Sequence, residues 1–196
     1  FVNIPPPKFP TQSVEIFTKE EIEKLLKACV YSREVNPSNR RSFVMRRPSG
    51  DRDKAILLTL LDTGMRAGEI CSLLVEDLDQ KTGKIRIKQG MSGGAKGGKG
   101  RTVFLGKVAR KAVWLYLAKR EDGDDPTAPL FSSHHDRPFN RNSLRILVRR
   151  LGERAEVPKV HPHKFRHTFA TTYLRSGGDI FTLQALLGHA SLDMDR

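Results

Sequence analysis

Four short stretches of the chain carry residue types suited to handling a phosphate. In Thr63-Gly64-Met65-Arg66-Ala67-Gly68-Glu69, Gly64 ends one helical pattern and Arg66 opens the next. The helix dipole disfavours a cation at a helix N-terminus, and an anion bound beside the free N–H groups would account for one. Glu69 lies three residues on, on the same face, and could hold the guanidinium; taken alone, the stretch reads more simply as a surface Arg66–Glu69 pair. Ala95-Lys96-Gly97-Gly98-Lys99-Gly100-Arg101 puts lysines on a flexible tip that could reach a groove or a phosphate, although alone it reads as a solvated loop. His161-Pro162-His163-Lys164-Phe165-Arg166-His167 sets His163 and Arg166 at i, i+3 on one helix face, with His167 at i+4. Three histidines in seven residues raise the question of zinc. An Arg within the ligand face and no flanking carboxylate or thiolate argue against it, and imidazole beside guanidinium suits an oxyanion better. His167 reads as a packing or supporting residue. Leu186-Leu187-Gly188-His189 closes a helix, where a histidine is commonly a cap.

These groups need elements to hold them. Thr18-Lys19-Glu20-Glu21 is a capping box, followed by Ile22, Leu25, Leu26 and Cys29 at helical spacing, which predicts a helix over Lys19–Val30. A buried helix over about 53–62 stops at Thr63-Gly64, and a short one follows over 67–74. The alternation in Lys84–Lys88 and the run Arg101–Leu105 predict two strands of a basic hairpin with a long Gly-rich tip. Helices are expected over about 107–120, 142–155, 163–176 and 179–187, with Asn142 and Asp179 as N-caps and Gly177 and Gly188 just past the ends. Leu130-Phe131 should tuck into the core. Helices, one small antiparallel sheet, then more helices make an α+β fold that is mainly α.

Composition narrows the partner. In 196 residues, 35 Lys and Arg face 22 Asp and Glu, a formal charge of +13. A globular chain this basic calls for a polyanion, with nucleic acid the first choice. An anionic membrane surface fits less well, because no helix is basic on one face and strongly apolar on the other. The aperiodic segment 31–54 is rich in arginine and is either a solvated excursion or a phosphate-contacting arm. In the second case Arg40, Arg41, Arg46 and Arg47 are DNA-binding candidates, together with Lys99 and Arg101 of the hairpin. Two cysteines exclude a disulfide scaffold and fit a reducing cytoplasm. No apolar run is long enough to span a membrane, and no signal peptide is visible. Pro5-Pro6-Pro7 and Pro10 mark residues 1–17 as a stiff linker from a domain upstream.

Each stretch is plain alone, but their order is not. Thr63-Gly-Met-Arg-Ala-Gly-Glu-Ile-Cys-Ser-Leu-Leu, Lys96-Gly-Gly-Lys-Gly-Arg-Thr-Val, His161-Pro-His-Lys-Phe-Arg-His-Thr-Phe-Ala-Thr and Leu183-Gln-Ala-Leu-Leu-Gly-His-Ala-Ser-Leu follow one another as in the tyrosine recombinases, or phage-type integrases. The sequence resembles that family from about Thr18 to Met194. The resemblance implies a catalytic domain over 18–196 that cleaves and rejoins DNA strands through a 3′-phosphotyrosyl intermediate, for site-specific recombination or integration. It implies that Arg66 and Arg166 clamp the scissile phosphate. Lys96, rather than its neighbour Lys99, would protonate the leaving 5′ oxygen. His163 would lie on the nucleophile's proton path, His189 would hydrogen-bond a nonbridging oxygen, and Glu69 would support the site from behind. No metal or other cofactor is implied. The partners would be double-stranded DNA and three further copies, in a homotetramer on two DNA sites in a bacterial or phage-host cytoplasm.

The family's tyrosine follows the Leu-Leu-Gly-His histidine by about nine residues, which falls near position 198, past Arg196. Tyr31, Tyr116 and Tyr173 do not fit that role, and the last two read as packing residues. The expectation is therefore a chain that ends before its nucleophile and does not itself cleave. The alternative is a non-catalytic DNA-binding protein with the same fold.

Overall fold

The structure is a computed structural model and describes residues 15–32, 44–90, 100–133 and 137–188. The Pro-rich start through residue 14, Arg40 and Arg41, Lys96 and Lys99, and His189 with the residues after it lie outside these.

Thr18 opens helix α1, Lys19–Val30, through its capping box: Glu21 N–H donates to Thr18 Oγ1 at 3.2 Å, and Thr18 N–H donates to Glu21 Oε2 at 3.0 Å. Helix α2, Gly50–Thr63, starts three residues before the apolar periodicity does. Its polar first turn is anchored by Asp53, which is fully buried. Asp53 pairs with Arg47 at 2.8 Å and Arg52 at 2.9 Å and accepts from Ser49 Oγ at 3.2 Å. Arg47 also donates to the Cys29 carbonyl at 2.7 Å, which ties the turn to the end of α1. A charge knot of this kind leaves no hydrophobic pattern to read.

Helix α3 is Ala67–Cys71, three residues shorter than expected, and a 3₁₀ turn at Val75–Asp77 follows. Strands β1 (Leu78–Asp79), β2 (Lys84–Ile87) and β3 (Arg101–Phe104) form an antiparallel sheet in that order, with Leu78 opposite Ile85 and Ile85 opposite Val103. The expected hairpin is present; β1, at two residues, is too short to show alternation in sequence. Helices α4 (Lys107–Leu117), α5 (Arg141–Ala155), α6 (Pro162–Arg175) and α7 (Ile180–Leu187) complete the fold, which is mainly helical around one small sheet as predicted. The N-cap of α5 is Asn140, not Asn142: Ser143 N–H donates to Asn140 Oδ1 at 2.7 Å, and Asn140 N–H donates to Ser143 Oγ at 2.9 Å. Asp179 caps α7 as expected, accepting from Thr182 N–H at 2.7 Å.

Helix α2 runs through the interior, packed by α1, α4 and α6, while α5 lies on α1 and α3. Leu57, Leu60, Ile85, Val113, Leu151 and Phe165 are all buried in a single core. Leu130 and Phe131 tuck into it, and Leu130 N–H donates to the Leu73 carbonyl at 2.8 Å. Tyr116 packs there too, its hydroxyl accepting from Ser132 N–H at 3.1 Å. Tyr173 closes over Gly178, where a Cβ would sit 2.2 Å from its ring.

Gly64 is the joint that turns the chain from α2 into the site. Its φ is +58°, and a Cβ there would lie 2.5 Å from the Phe169 ring and 2.9 Å from Leu187. Left-handed strain of about 1–2 kcal/mol adds to overpacking of about 1–3 kcal/mol. Gly64→Ala is therefore expected to destabilise the fold by roughly 2–5 kcal/mol, read as a lower urea midpoint at unchanged m-value.

Candidate active site

Arg66 is the N-cap of α3, in extended backbone conformation. Its own N–H donates to Glu69 Oε2 at 2.8 Å, and its Nη1 donates to Glu69 Oε1 at 3.2 Å. Glu69 is buried, not a partner in a surface pair. It also receives a fork from Arg101, Nη1 to Oε1 and Nη2 to Oε2, both at 2.8 Å. Burial alone would raise the Glu69 pKa; the Arg101 and Arg66 N–H groups and charges outweigh it and hold the carboxyl below its ordinary value.

Arg166 comes from the first turns of α6, where His161 is the N-cap and Pro162 supplies the fixed φ of the opening position. Lys164 N–H donates to His161 Nδ1 at 3.2 Å. The Arg166 side chain is buried, with Nη1 donating to the Gly64 carbonyl at 2.8 Å and Nη2 to the Leu187 carbonyl at 2.9 Å. Burial first, and then the charges of Arg66 and Arg101, push its pKa down to about 10, with Glu69 opposing; it remains a cation at neutral pH.

The three guanidiniums share one further anchor. Arg101 Nε donates to the Leu186 carbonyl at 2.6 Å, Arg166 to Leu187, and Arg66 Nη2 to Gly188 at 3.2 Å. These are the successive carbonyls at the C-terminal end of α7. Such groups lack partners within the helix and sit at the negative end of its dipole, so the end of α7 both orients the arginines and offsets their repulsion.

Arg66, His163 and Arg166 meet on one open cavity of about 520 Å³, with Met65, Ala67 and His161 in its wall. Desolvation, then the neighbouring His167, Arg166 and His161, lower the His163 pKa, so its imidazole is neutral at neutral pH. His163 and His167 meet edge to face at 4.3 Å, in keeping with His167 as a supporting ring. Two fixed guanidinium forks and a neutral imidazole facing one space suit an anion of tetrahedral or trigonal-bipyramidal shape whose charge rises during reaction. Among the described residues, no group of three His, Cys, Asp or Glu side chains is placed to hold a metal ion.

Not every expected basic residue faces that space. Arg47 turns inward to Asp53 and Cys29, and Arg101 turns inward to Glu69 and Leu186; neither lines the cavity that Arg66, His163 and Arg166 share. Arg46 is exposed and pairs with Asp51 at 3.0 Å. Arg40, Arg41, Lys96, Lys99 and His189 lie outside the described residues. Conversely, Arg141 and Arg145 line the cavity and were not singled out from the sequence. With Arg149, in the adjoining groove beside Lys159 and His161, they recur every four residues along one face of α5. That periodicity is visible in the sequence once α5 is read for its polar face and not only its core face.

The phage integrase family model matches residues 15–195, nearly the whole chain. The chain belongs to the phage integrase family. Within that family it is 42% identical over 144 residues to tyrosine recombinase XerC of Pelobacter propionicus, a match covering 73% of this chain and 45% of that protein. The crystal structure of XerA recombinase superposes with a TM-score of 0.73 at 32% identity, over 97% of this chain and 60% of that one. XerH site-specific recombinase bound to its difH substrate, in a pre-cleavage complex, superposes with a TM-score of 0.65 at 26% identity, over 90% of this chain and 47% of that one. The chain thus spans about half the length of these integrase-family relatives. None of its described helices is long and apolar enough to cross a membrane.

Removing the Glu69 carboxylate leaves two guanidiniums facing each other without their shared anion. Glu69→Ala is expected to cost about 3–5 kcal/mol of stability at pH 7. Because the folded-state pKa is depressed, this contribution is present above the ordinary glutamate value of 4.5 and is lost as pH falls through the folded value. Denaturant midpoints measured from pH 7 down to pH 3 should therefore fall less steeply in Glu69→Gln than in the parent protein.

Proposed function

We propose that this chain is the DNA-breaking and rejoining domain of a site-specific recombinase or integrase. The observation that carries the proposal is the convergence of Arg66, His163 and Arg166 on one cavity, with both guanidiniums held from behind by carbonyls and, for Arg66, by Glu69. The membership in the integrase family and the likeness to XerH bound to difH support a double-stranded DNA substrate.

In this reading a scissile phosphodiester lies in the cavity, its nonbridging oxygens held by Arg66 and Arg166. Arginine suits the clamp because its fork is planar and permanently charged. A tyrosine hydroxyl from C-terminal of His189 attacks phosphorus and passes its proton to neutral His163. The bond from phosphorus to the 5′ oxygen breaks, Lys96 protonates that oxygen, and a 3′-phosphotyrosyl link remains. His189 adds a hydrogen bond to a nonbridging oxygen. Attack by a 5′-hydroxyl on the phosphotyrosine reverses each step, so bond energy is conserved and no nucleotide triphosphate is consumed. The developing negative charge meets donors already in place, each worth roughly 3 kcal/mol by comparison with a single oxyanion-hole donor.

The charge of +13 supplies affinity for the duplex. Arg141, Arg145 and Arg149 extend the positive wall of the cavity along α5 and are the phosphate contacts we assign in addition to exposed Arg46. Arg40, Arg41 and Lys99 are proposed on sequence grounds alone. The working assembly is a homotetramer on two DNA sites, in the cytoplasm of its host cell.

The test uses the protein expressed from the whole open reading frame that contains this chain, incubated with a nicked suicide duplex. A covalent protein–DNA adduct on a denaturing gel is the expected result. DNA that binds without forming an adduct would instead support a non-catalytic DNA-binding protein. Arg166→Ala should reduce adduct formation about 10³-fold while leaving DNA affinity within a few-fold, since many other cations remain. Lys96→Ala should slow cleavage and be rescued by a 5′-thio leaving group, which needs no strong acid; absence of rescue removes Lys96 from the proton-donor role.

A further inference from the structure

We propose that Arg101 is a positioning residue for Arg66, acting through Glu69, and not a DNA-binding residue; this rests on the functional reading above. Arg101 stands at the first position of β3, opposite Ile87, and its side chain is only 9% exposed. All three of its donor nitrogens are engaged: Nη1 and Nη2 span the two oxygens of Glu69, and Nε meets the Leu186 carbonyl. It does not line the cavity that Arg66, His163 and Arg166 share. Among the described residues, the Glu69 carboxylate accepts two hydrogen bonds from Arg101 and two from Arg66. A carboxylate held by Arg66 alone could pivot about that one residue. A second fork, from a strand of the sheet, fixes both the position and the plane of the carboxylate, and hence the direction of the Arg66 guanidinium.

Gly188 supplies an independent trace of the same arrangement. It has a φ of +66°, and a Cβ on it would lie 2.8 Å from Arg101 Nη1, 3.1 Å from Cζ and 3.2 Å from Cδ. The backbone at the end of α7 therefore lies flat against the Arg101 guanidinium, and a side chain at 188 would push it off Glu69. The glycine of Leu186-Leu187-Gly188 is thus explained by Arg101 as much as by helix termination. A residue that only touched DNA would need neither the buried fork nor this close approach.

The test compares Arg101→Gln, Arg66→Gln and the double variant. With the full-length protein on the nicked duplex, Arg101→Gln should slow single-turnover adduct formation about 100-fold, the scale of an ångström-sized misplacement. It should add little in the Arg66→Gln background, because both act through one group. With this chain on intact duplex, the slope of log affinity against log salt should be unchanged by Arg101→Gln. A slope reduced by about one, or rate losses that multiply in the double variant, would overturn the proposal. The carboxyl of Glu69, followed by carbon-13 NMR, should titrate at higher pH in Arg101→Gln. An unmoved Glu69 titration would overturn the coupling even in protein that makes no adduct, which separates failure here from failure of the recombinase reading. If Arg101→Gln does not unfold cooperatively, Arg101→Lys keeps the charge but loses the two-oxygen fork, and the same comparisons apply to it.

Discussion

Three arginines from α6, β3 and the N-cap of α3 converge on three consecutive peptide carbonyls at the end of α7. Much of the arrangement of the site depends on this. Like charges brought this close repel, and no single carboxylate can answer all of them. The fold answers with two kinds of negative charge: the full charge of Glu69 between Arg66 and Arg101, and the partial charges of helix ends. Arg166 takes two such ends, Gly64 of α2 and Leu187 of α7. Burial first, and then the charges of Arg66 and Arg101, still push the Arg166 pKa down to about 10.

The same economy explains why the protein is so basic outside and yet carefully neutralised within. Asp53 does for Arg47 and Arg52 what Glu69 does for Arg66 and Arg101. In each case a buried carboxylate binds two guanidiniums from distant or adjacent chain positions and locks a helix start to a neighbouring element. Such buried sets define geometry more than they add stability. That suits an enzyme-like site, where misdirection of a donor by a fraction of its length matters.

How far the sequence reveals this depends on the range of each interaction. The Thr18 capping box, the break at Gly64 and the Asp179 cap are local, so four or five residues suffice to read them. Arg66 and Glu69 are three apart and legible as a pair, but the burial of that pair is not, because it depends on Arg101, thirty-two positions away. For the same reason the sequence does not show that Arg47 and Arg101 pair with buried carboxylates. A lysine- and arginine-rich segment carries no mark to distinguish an arginine aimed at solvent from one aimed at a carboxylate supplied by another element. The early start of α2 was hidden because Asp53 makes a polar turn an interior one. Arg141 and Arg145 are hard to single out for the opposite reason: their spacing is visible in the sequence, but an exposed arginine face is what any surface helix shows.

Helix α7 is eight residues long and, among the described residues, rests chiefly on α6 and β3, with Ile180 and Phe181 largely exposed. Its buried residues are Leu183 and Leu187. A short helix at the edge of the fold is expected to open locally at a lower free energy than α2, in the middle of the core. Releasing its carbonyl end would remove one anchor from each of the three guanidiniums at once, leaving Glu69 on Arg66 and Arg101 and the Gly64 carbonyl on Arg166, while the core around Phe165 and Leu60 stayed folded. The arrangement of the three arginines is thus sensitive to local opening of α7 as well as to the global stability of the domain, and amide exchange in α7 reads the local part.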